Sequence, residues 1–357
     1  MSTTVTVLEP TLLLEASTTG FQLPRIPDAP RHVLIPDLFS SIMATEPAIN
    51  PHYQGGKAEA DEWFKELLQL TGKEEKKFNK TDFGFAAAVW APSAEKHRFR
   101  TAVDWANWIF YFDDRKFVTI PTIRQVTHIR PTEFDEGPLA NDPVKAQEEV
   151  DCILAILDDN GPRVQADKPL RYAFQAIWDR IKTSDTPEVR ERWKDSHKIY
   201  LEGLLYQSKL SKSSAAPALT VDQYMSYRRR TIGVVLAIRL VEFAEDIKLS
   251  QTQMDHPSLQ LCTSIIVDLV ILSNDILSYK KEVELNDAGN NLITILKAHN
   301  LSDQEAMNSI GEMLDDCYKA WQNALDELPT CGEEIDREVL KYLDACRNVG
   351  LGNLHWR

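Results

Sequence analysis

The stretch IIVDLVILSNDILSYKKEVE, residues 265–284, opens as an unbroken apolar run and then sets Asn274, Ser278 and Glu282 four residues apart. On a helix of 3.6 residues per turn these three side chains share one stripe. An amide oxygen, a hydroxyl and a carboxylate stacked in that way are hard oxygen donors of the kind Mg2+ accepts. The same spacing occurs on ordinary solvated helices. Here the apolar run marks the helix as buried, and a polar stripe ending a buried helix faces a cavity more readily than bulk water. Asp275 turns away from the stripe and is available for a supporting or salt-bridge role.

Helical period extends outward on both sides. From Lys57, the residues Trp63, Phe64, Leu67, Leu68 and Leu70 form one face. Further helical segments are expected at Phe83 to Trp90, stopped by Pro92, and at about Ala94 to Asp114. Others follow at Asp142 to Leu157, Leu170 to Lys182, Pro187 to Gln207 and Val221 to Phe243. Past the opening stretch come Leu292 to Ala298, Asp303 to Leu328 and Glu333 to Asn348. No strand alternation lasts long enough to build a sheet. The expected fold is all-α, around ten helices in a single domain over residues 34–357. Residues 1–33 lack helical period and read as a flexible leader, followed by an extended segment at Leu34 to Phe39 and a turn at Asn50 to Tyr53.

A net charge of −14 argues against nucleic acid or an anionic membrane surface as a partner. Metal ions can still bridge an acidic protein to a phosphate substrate. Five cysteines, Cys152, Cys262, Cys317, Cys331 and Cys346, form no CxxC or Cys/His cluster, which argues against a zinc site or a disulfide framework. A reduced, cytoplasmic setting is expected. The N-terminus lacks signal-peptide character, no window is read as reaching transmembrane length, and no obligate protein partner is evident.

Asp113 and Asp114 close an aromatic-rich helix. Carboxylates there oppose the helix dipole, a cost that a bound cation removes. With this second carboxylate group beside the oxygen stripe, the chain resembles the fungal class I terpene synthases, and basidiomycete sesquiterpene cyclases most of all. Asn274, Asp275, Ser278 and Glu282 match that family's ND(L/I)xSxxxE motif, and Arg228 to Gly233 resembles its RRxTxG segment. Asn50 to Tyr53, Phe134 to Gly137 and Gly352 to Trp356 also fit, so the likeness spans roughly Leu34 to Trp356.

The resemblance implies a class I terpenoid synthase helical bundle around a central cavity, acting on farnesyl diphosphate. Three Mg2+ ions would be held by Asp113, Asp114 and Asp135 on one side and Asn274, Ser278 and Glu282 on the other. It implies a diphosphate-sensing arginine, for which the offset from Gly233 favours Arg229 over Arg228, with Lys281 as a further donor. An allylic cation needs aromatic walls, each worth about 0.5–2 kcal/mol. Phe83, Trp90, Phe110 and Trp356 are the candidates, although each also suits plain core packing. A chain-elongating prenyltransferase is disfavoured because the Asn/Ser/Glu stripe stands where a second Asp-rich motif would. A synthase-like helical protein with impaired or absent catalysis is the alternative from a different class.

Two departures support that alternative. The family's DDxxD reads here Asp113, Asp114, Arg115, Lys116, Phe117, and residues 115–133 look like an aberrant insertion before Phe134 resumes the pattern. A retained intron would account for it, the competing reading being a genuine surface loop that returns Asp135 to the site only if its ends lie close together. Arg115 to Phe117 can be encoded with a splice donor and Thr132 to Glu133 with an acceptor. Excision would then restore the motif with Asp135 as third acid. The second departure is a shortened C-terminus ending at Arg357, without the Arg-Tyr pair of relatives. Weak or absent turnover is expected of the chain as written, with Mg2+ binding retained.

Overall fold

The computed structural model describes residues 4–7, 31–113, 142–184, 186–210, 219–284, 289 and 291–356. In chain order its helices begin with α1 (Tyr53–Leu68), α2 (Gly72–Thr81), α3 (Phe83–Trp90) and α4 (Lys96–Asp113). The middle of the chain forms α5 (Pro143–Leu157), α6 (Pro169–Ser184), α7 (Pro187–Leu210), α8 (Val221–Thr231) and α9 (Val234–Ala244). The last third holds α10 (Gln251–Met254), α11 (Pro257–Glu284), α12 (Leu292–Ala298), α13 (Asp303–Asp326) and α14 (Glu333–Trp356).

The all-α architecture follows the sequence pattern, with fourteen helices among the described residues where around ten were expected. The excess has local causes. Val221 to Phe243 is broken into α8 and α9 because Gly233 adopts φ +76°, which a glycine accepts without steric cost. α2 is a polar helix with a single buried side chain, Phe78, and so gives a weak apolar period. α10 is one turn, closed by a capping box between Ser250 and Gln253. α14 runs on to Trp356, past the expected end at Asn348.

A second difference concerns the leader and the absence of strands. Thr4–Val7 pairs antiparallel with Arg31–Leu34, joining the start of the expected leader to its end. The segment 115–133, Asp114, Asp135 and the motif at 134–137 lie outside the described residues.

The helix carrying the opening stretch is the spine. α11 starts on Pro257, whose missing N–H costs nothing in a first helical turn, and contains no interior glycine or proline. It packs against α8, α9, α12, α13 and α14, while α9 also lies against α4. Contrary to the reading of transmembrane windows, α11 is long and apolar enough to cross a membrane by length and composition alone. In this fold 67% of that apolar window is buried inside the bundle, so its apolar character serves the core.

Within the core, Trp105, Trp108, Trp193 and Phe174 surround a fully buried His197. Trp105 Nε1 donates to His197 Nε2 at 3.2 Å, and His197 Nδ1 lies 2.9 Å from the Trp193 carbonyl. An indole N–H can only donate and a carbonyl can only accept, so the proton of a neutral His197 sits on Nδ1. Burial pushes its pKa down to about 4.

Candidate metal and diphosphate site

α11 delivers the predicted stripe. Asn274 is 8% exposed and Ser278 9%, with Glu282 half-buried near the helix end. The Ser278 hydroxyl oxygen is buried and has no hydrogen-bond partner. Buried hydroxyls are ordinarily paired, because an unmade bond costs about 1–3 kcal/mol. Among the described residues no three His, Cys, Asp or Glu side chains converge on a metal position. The mixed amide, hydroxyl and carboxylate stripe therefore remains the described donor set, and its oxygen chemistry fits a hard divalent cation.

Asp275 turns off the stripe, as its helical position requires, into a buried polar junction. Tyr224 of α8 donates its hydroxyl to Asp275 Oδ2 at 2.6 Å, and the Leu292 backbone N–H at the start of α12 donates to the same oxygen at 2.9 Å. Asn291, fully buried, donates to the Asp275 carbonyl at 2.9 Å and to Glu282 Oε2 at 2.9 Å. Burial pushes the Asp275 carboxyl up to about 6, and the charge of Glu282 adds to the rise. The Arg228 guanidinium, the Tyr224 hydroxyl and the Leu292 N–H oppose it. Burial also raises the Tyr224 hydroxyl, with Asp275 adding to that rise.

The two adjacent arginines separate. Arg229 is exposed and holds Asp268 of α11 through two bonds, Nε to Oδ1 at 2.7 Å and Nη2 to Oδ2 at 2.8 Å. Arg228 is half-buried, and its charge acts on both Asp275 and Tyr224. The spacing from Gly233 favoured Arg229, but successive helical positions differ by about 100°. The packing of α8 on α11 turns Arg228 to the Asp275 junction and leaves Arg229 in a surface ion pair. Lys281 is exposed one turn from Ser278. Asp113 ends α4, as expected.

The four candidate aromatics converge. Phe83 stacks on Phe110 with centroids 4.6 Å apart, Phe110 lies 4.7 Å from Trp356, and Trp90 is 6.1 Å from Phe110. Phe83 and Trp90 are buried, whereas Phe110 and Trp356 are half-buried. Gly352 explains part of its motif, since a Cβ there would meet the Trp90 ring at 2.4 Å. The Asn50 motif is a latch: its amide, 2% exposed, donates to the carbonyls of Ala91 and Ala94 at the turn between α3 and α4.

Two residues of the junction were missed from sequence, Tyr224 and Asn291. Tyr224 carries no periodic signal that separates it from a core tyrosine. Asn291 has a local one, as an N-cap residue ahead of the apolar run Leu292 to Leu296. A separate cavity of about 480 Å3 lies at the α5–α6 connection, lined by Cys152, Lys168, Arg171 and Lys182 among others. Arg171 and Lys182 there are already paired with Glu149 and Asp159.

The family model described as "Terpene synthase family 2, C-terminal metal binding" matches residues 132–320. The chain is 41% identical over 328 residues to (+)-eremophilene synthase of Gibberella fujikuroi, covering 92% of this chain and 87% of that one. It is 26% identical over 331 residues to Delta(6)-protoilludene synthase 18 of Postia placenta, covering 93% and 88%. The basidiomycete resemblance therefore gives way to a stronger ascomycete one. The fold is similar to that of the solved a-eudesmol synthase, with a TM-score of 0.72 at 20% identity over 87% of this chain and 96% of that one. On the family match and the likeness to the eremophilene synthase, this chain belongs to the metal-binding terpene synthase family 2 and is a terpene cyclase, a lyase acting on a prenyl diphosphate.

Proposed function

We propose that the chain ionises and cyclises farnesyl diphosphate to a sesquiterpene in an Mg2+-dependent reaction, releasing diphosphate. The observation that carries this reading is the Ser278 hydroxyl, buried without a partner between Asn274 and Glu282. A helix that leaves a buried oxygen unsatisfied, flanked by two further oxygen donors, is organised for a cation. Farnesyl as the prenyl chain is supported by the motif match to sesquiterpene cyclases and by the eremophilene synthase relative.

In this reading Asn274, Ser278 and Glu282 would hold one side of the expected three-ion Mg2+ cluster. The other side would fall to Asp113, Asp114 and Asp135, whose side chains lie outside the described residues. When bound, the ions neutralise diphosphate charge and make it a good leaving group. Arg228 donates to the diphosphate oxygens as the C–O bond breaks heterolytically and the electron pair departs with diphosphate. Arg229 stays tied to Asp268 at the surface, and exposed Lys281 is a further candidate donor to the diphosphate. Phe83, Phe110, Trp90 and Trp356 supply π faces to the allylic cation and a dry wall against water. Loss of a proton from the final carbocation to the released diphosphate yields the hydrocarbon. Five free cysteines support a reducing, cytoplasmic setting.

The test is incubation of the purified chain with Mg2+ and farnesyl or geranylgeranyl diphosphate, followed by analysis of volatiles and prenyl diphosphates. A sesquiterpene hydrocarbon from farnesyl diphosphate is expected. Product only from the geranylgeranyl substrate overturns the chain-length assignment, and a lengthened prenyl diphosphate overturns cyclisation.

A further inference from the structure

We infer that Asn291 is the positioning residue for the Glu282 carboxylate, tying the start of α12 to the metal-facing stripe of α11. The inference rests on reading that stripe as a Mg2+ face, and it assigns a role to a residue outside the stripe itself.

A primary amide offers two N–H donors and one carbonyl. At Asn291 all are engaged. Nδ2 donates to the Asp275 carbonyl and to Glu282 Oε2, each at 2.9 Å, and Oδ1 accepts the Ile293 backbone N–H at 3.0 Å. The side chain is fully buried, so water does not compete for these bonds. Asn291 thus caps α12 and holds one oxygen of Glu282 with the same group. The other oxygen of Glu282 accepts no hydrogen bond among the described residues, which leaves it for a cation.

Glu282 needs such help. It lies in the last turn of α11, where the helix dipole disfavours a negative charge. A long side chain there also has rotameric freedom that weakens any coordination bond it makes. A charge-assisted N–H···O bond from a buried donor addresses both. Leu292 strengthens the arrangement, because its N–H grips Asp275 Oδ2 from the adjoining position. Two consecutive residues at the start of α12 therefore hold both the backbone carbonyl and the carboxylate of Asp275, the residue next to Asn274.

The chemistry fixes which residue serves. Aspartate is acceptor-only when ionised and would face Glu282 with a like charge. Serine retains an N-cap oxygen but has no amide to reach Glu282. These two substitutions separate capping from positioning.

The experiment uses the full chain with inorganic diphosphate, titrating Mg2+ by calorimetry, with thermal unfolding in metal-free buffer alongside. Asn291→Ser is expected to raise the Mg2+ concentration for half-saturation about tenfold, as loss of a ligand's supporting bond does, and Asn291→Asp to raise it further. Metal-free unfolding should fall for Asn291→Ser, because two buried amide bonds are lost even though the cap persists, so the Mg2+ titration and the Glu282→Gln comparison, not stability, carry the test. In a Glu282→Gln background the added effect of Asn291→Ser should shrink to about twofold or less, since the positioned carboxylate is gone. If Asn291→Ser matches the wild type in Mg2+ dependence, or adds the same increment in both backgrounds, Asn291 is only a cap and the inference is overturned. Should Asn291→Ser fail to fold, the near-isosteric Asn291→Asp carries the same comparison. A wild type showing no Mg2+-dependent diphosphate binding removes the proposed function and this inference together. A wild type that binds beside an unaffected Asn291→Ser removes this inference alone.

Discussion

The hydroxyl of Tyr224 donates to Asp275 Oδ2 at 2.6 Å, joining α8 to α11 one residue from Asn274. Asp275 is 1% exposed, so this bond and the one from Leu292 hold a buried carboxyl that has few other partners. Through this contact the helix bearing the arginines is held against the helix bearing the oxygen stripe. Tyr224→Phe deletes the donor and keeps the ring. It should cost about 1–3 kcal/mol of stability, read from urea unfolding at neutral pH. A midpoint equal to the wild type's would show that Asp275 needs no partner there.

The divergence of Arg228 and Arg229 gives a kinetic prediction. Arg228→Ala should lower kcat by about 100-fold, the scale for a lost donor to developing charge. Arg229→Ala should change kcat less than about threefold and stability by no more than about 1 kcal/mol, because its pair with Asp268 is exposed. Steady-state assays of both variants decide between them, and the reverse ranking would restore the assignment read from Gly233.

Ser278→Ala should have opposite effects on stability and metal binding. Removing a buried hydroxyl that has no partner leaves the metal-free protein as stable as before or stabilises it by about 1 kcal/mol. The same change removes an oxygen donor, so the Mg2+ needed for half-maximal activity should rise. Thermal unfolding in chelator and a Mg2+ titration read the two effects. A destabilised metal-free variant would mean that the hydroxyl has a structural bond after all.

His197 predicts an acid-side loss of stability. Its pKa is pushed from the ordinary 6.5 to about 4 by burial, so the unfolded chain binds the proton more readily than the folded one. The neutral imidazole's contribution is complete above pH 6.5 and declines as pH falls toward 4. The loss is roughly 3 kcal/mol over that window. Replacing His197 by Gln keeps an acceptor for Trp105 and removes the titration. The difference in unfolding midpoint between wild type and variant should therefore change across pH 6.5 to 4 and be flat above it.

The retained-intron reading of 115–133 predicts that this stretch is absent from the mature message, whereas a genuine loop predicts that it is retained. Sequencing the transcript across it should yield a spliced form reading Asp-Asp-Gln-Phe-Asp-Glu-Gly, with Asp135 restored as third acid. Protein made from that form should outperform the chain as given when assayed with farnesyl diphosphate. Uninterrupted coding sequence through Lys116 to Glu133 sinks the retained-intron reading. The family match begins at residue 132, at the downstream edge of this stretch.

Much of the site was legible because α11 states its geometry locally. Asn274, Ser278 and Glu282 lie on one helix, and 3.6 residues per turn places them on one face without reference to any neighbour. The helical character of the rest was legible for the same reason. Phe83, Phe110 and Trp356 could be named as aromatic candidates one by one. Their meeting could not, because Trp356 comes to Phe83 from the far end of the chain, its indole N–H anchored on the Thr81 carbonyl.

The sequence by itself determined an all-α chain, a polar stripe at the end of a buried helix, and the family those residues resemble. These properties depend on side-chain type and helical period, both local. Tertiary structure decided which of two neighbouring arginines brings its charge to bear on Asp275, because the turn at Gly233 and the seat of α8 on α11 fix the direction in which each points. It also brought in Asn291, which reaches the stripe only after the chain leaves α11 and returns as α12. The stripe of Asn274, Ser278 and Glu282 supplies its own oxygens, while the groups that hold Asp275 and Glu282 in place come from α8 and α12.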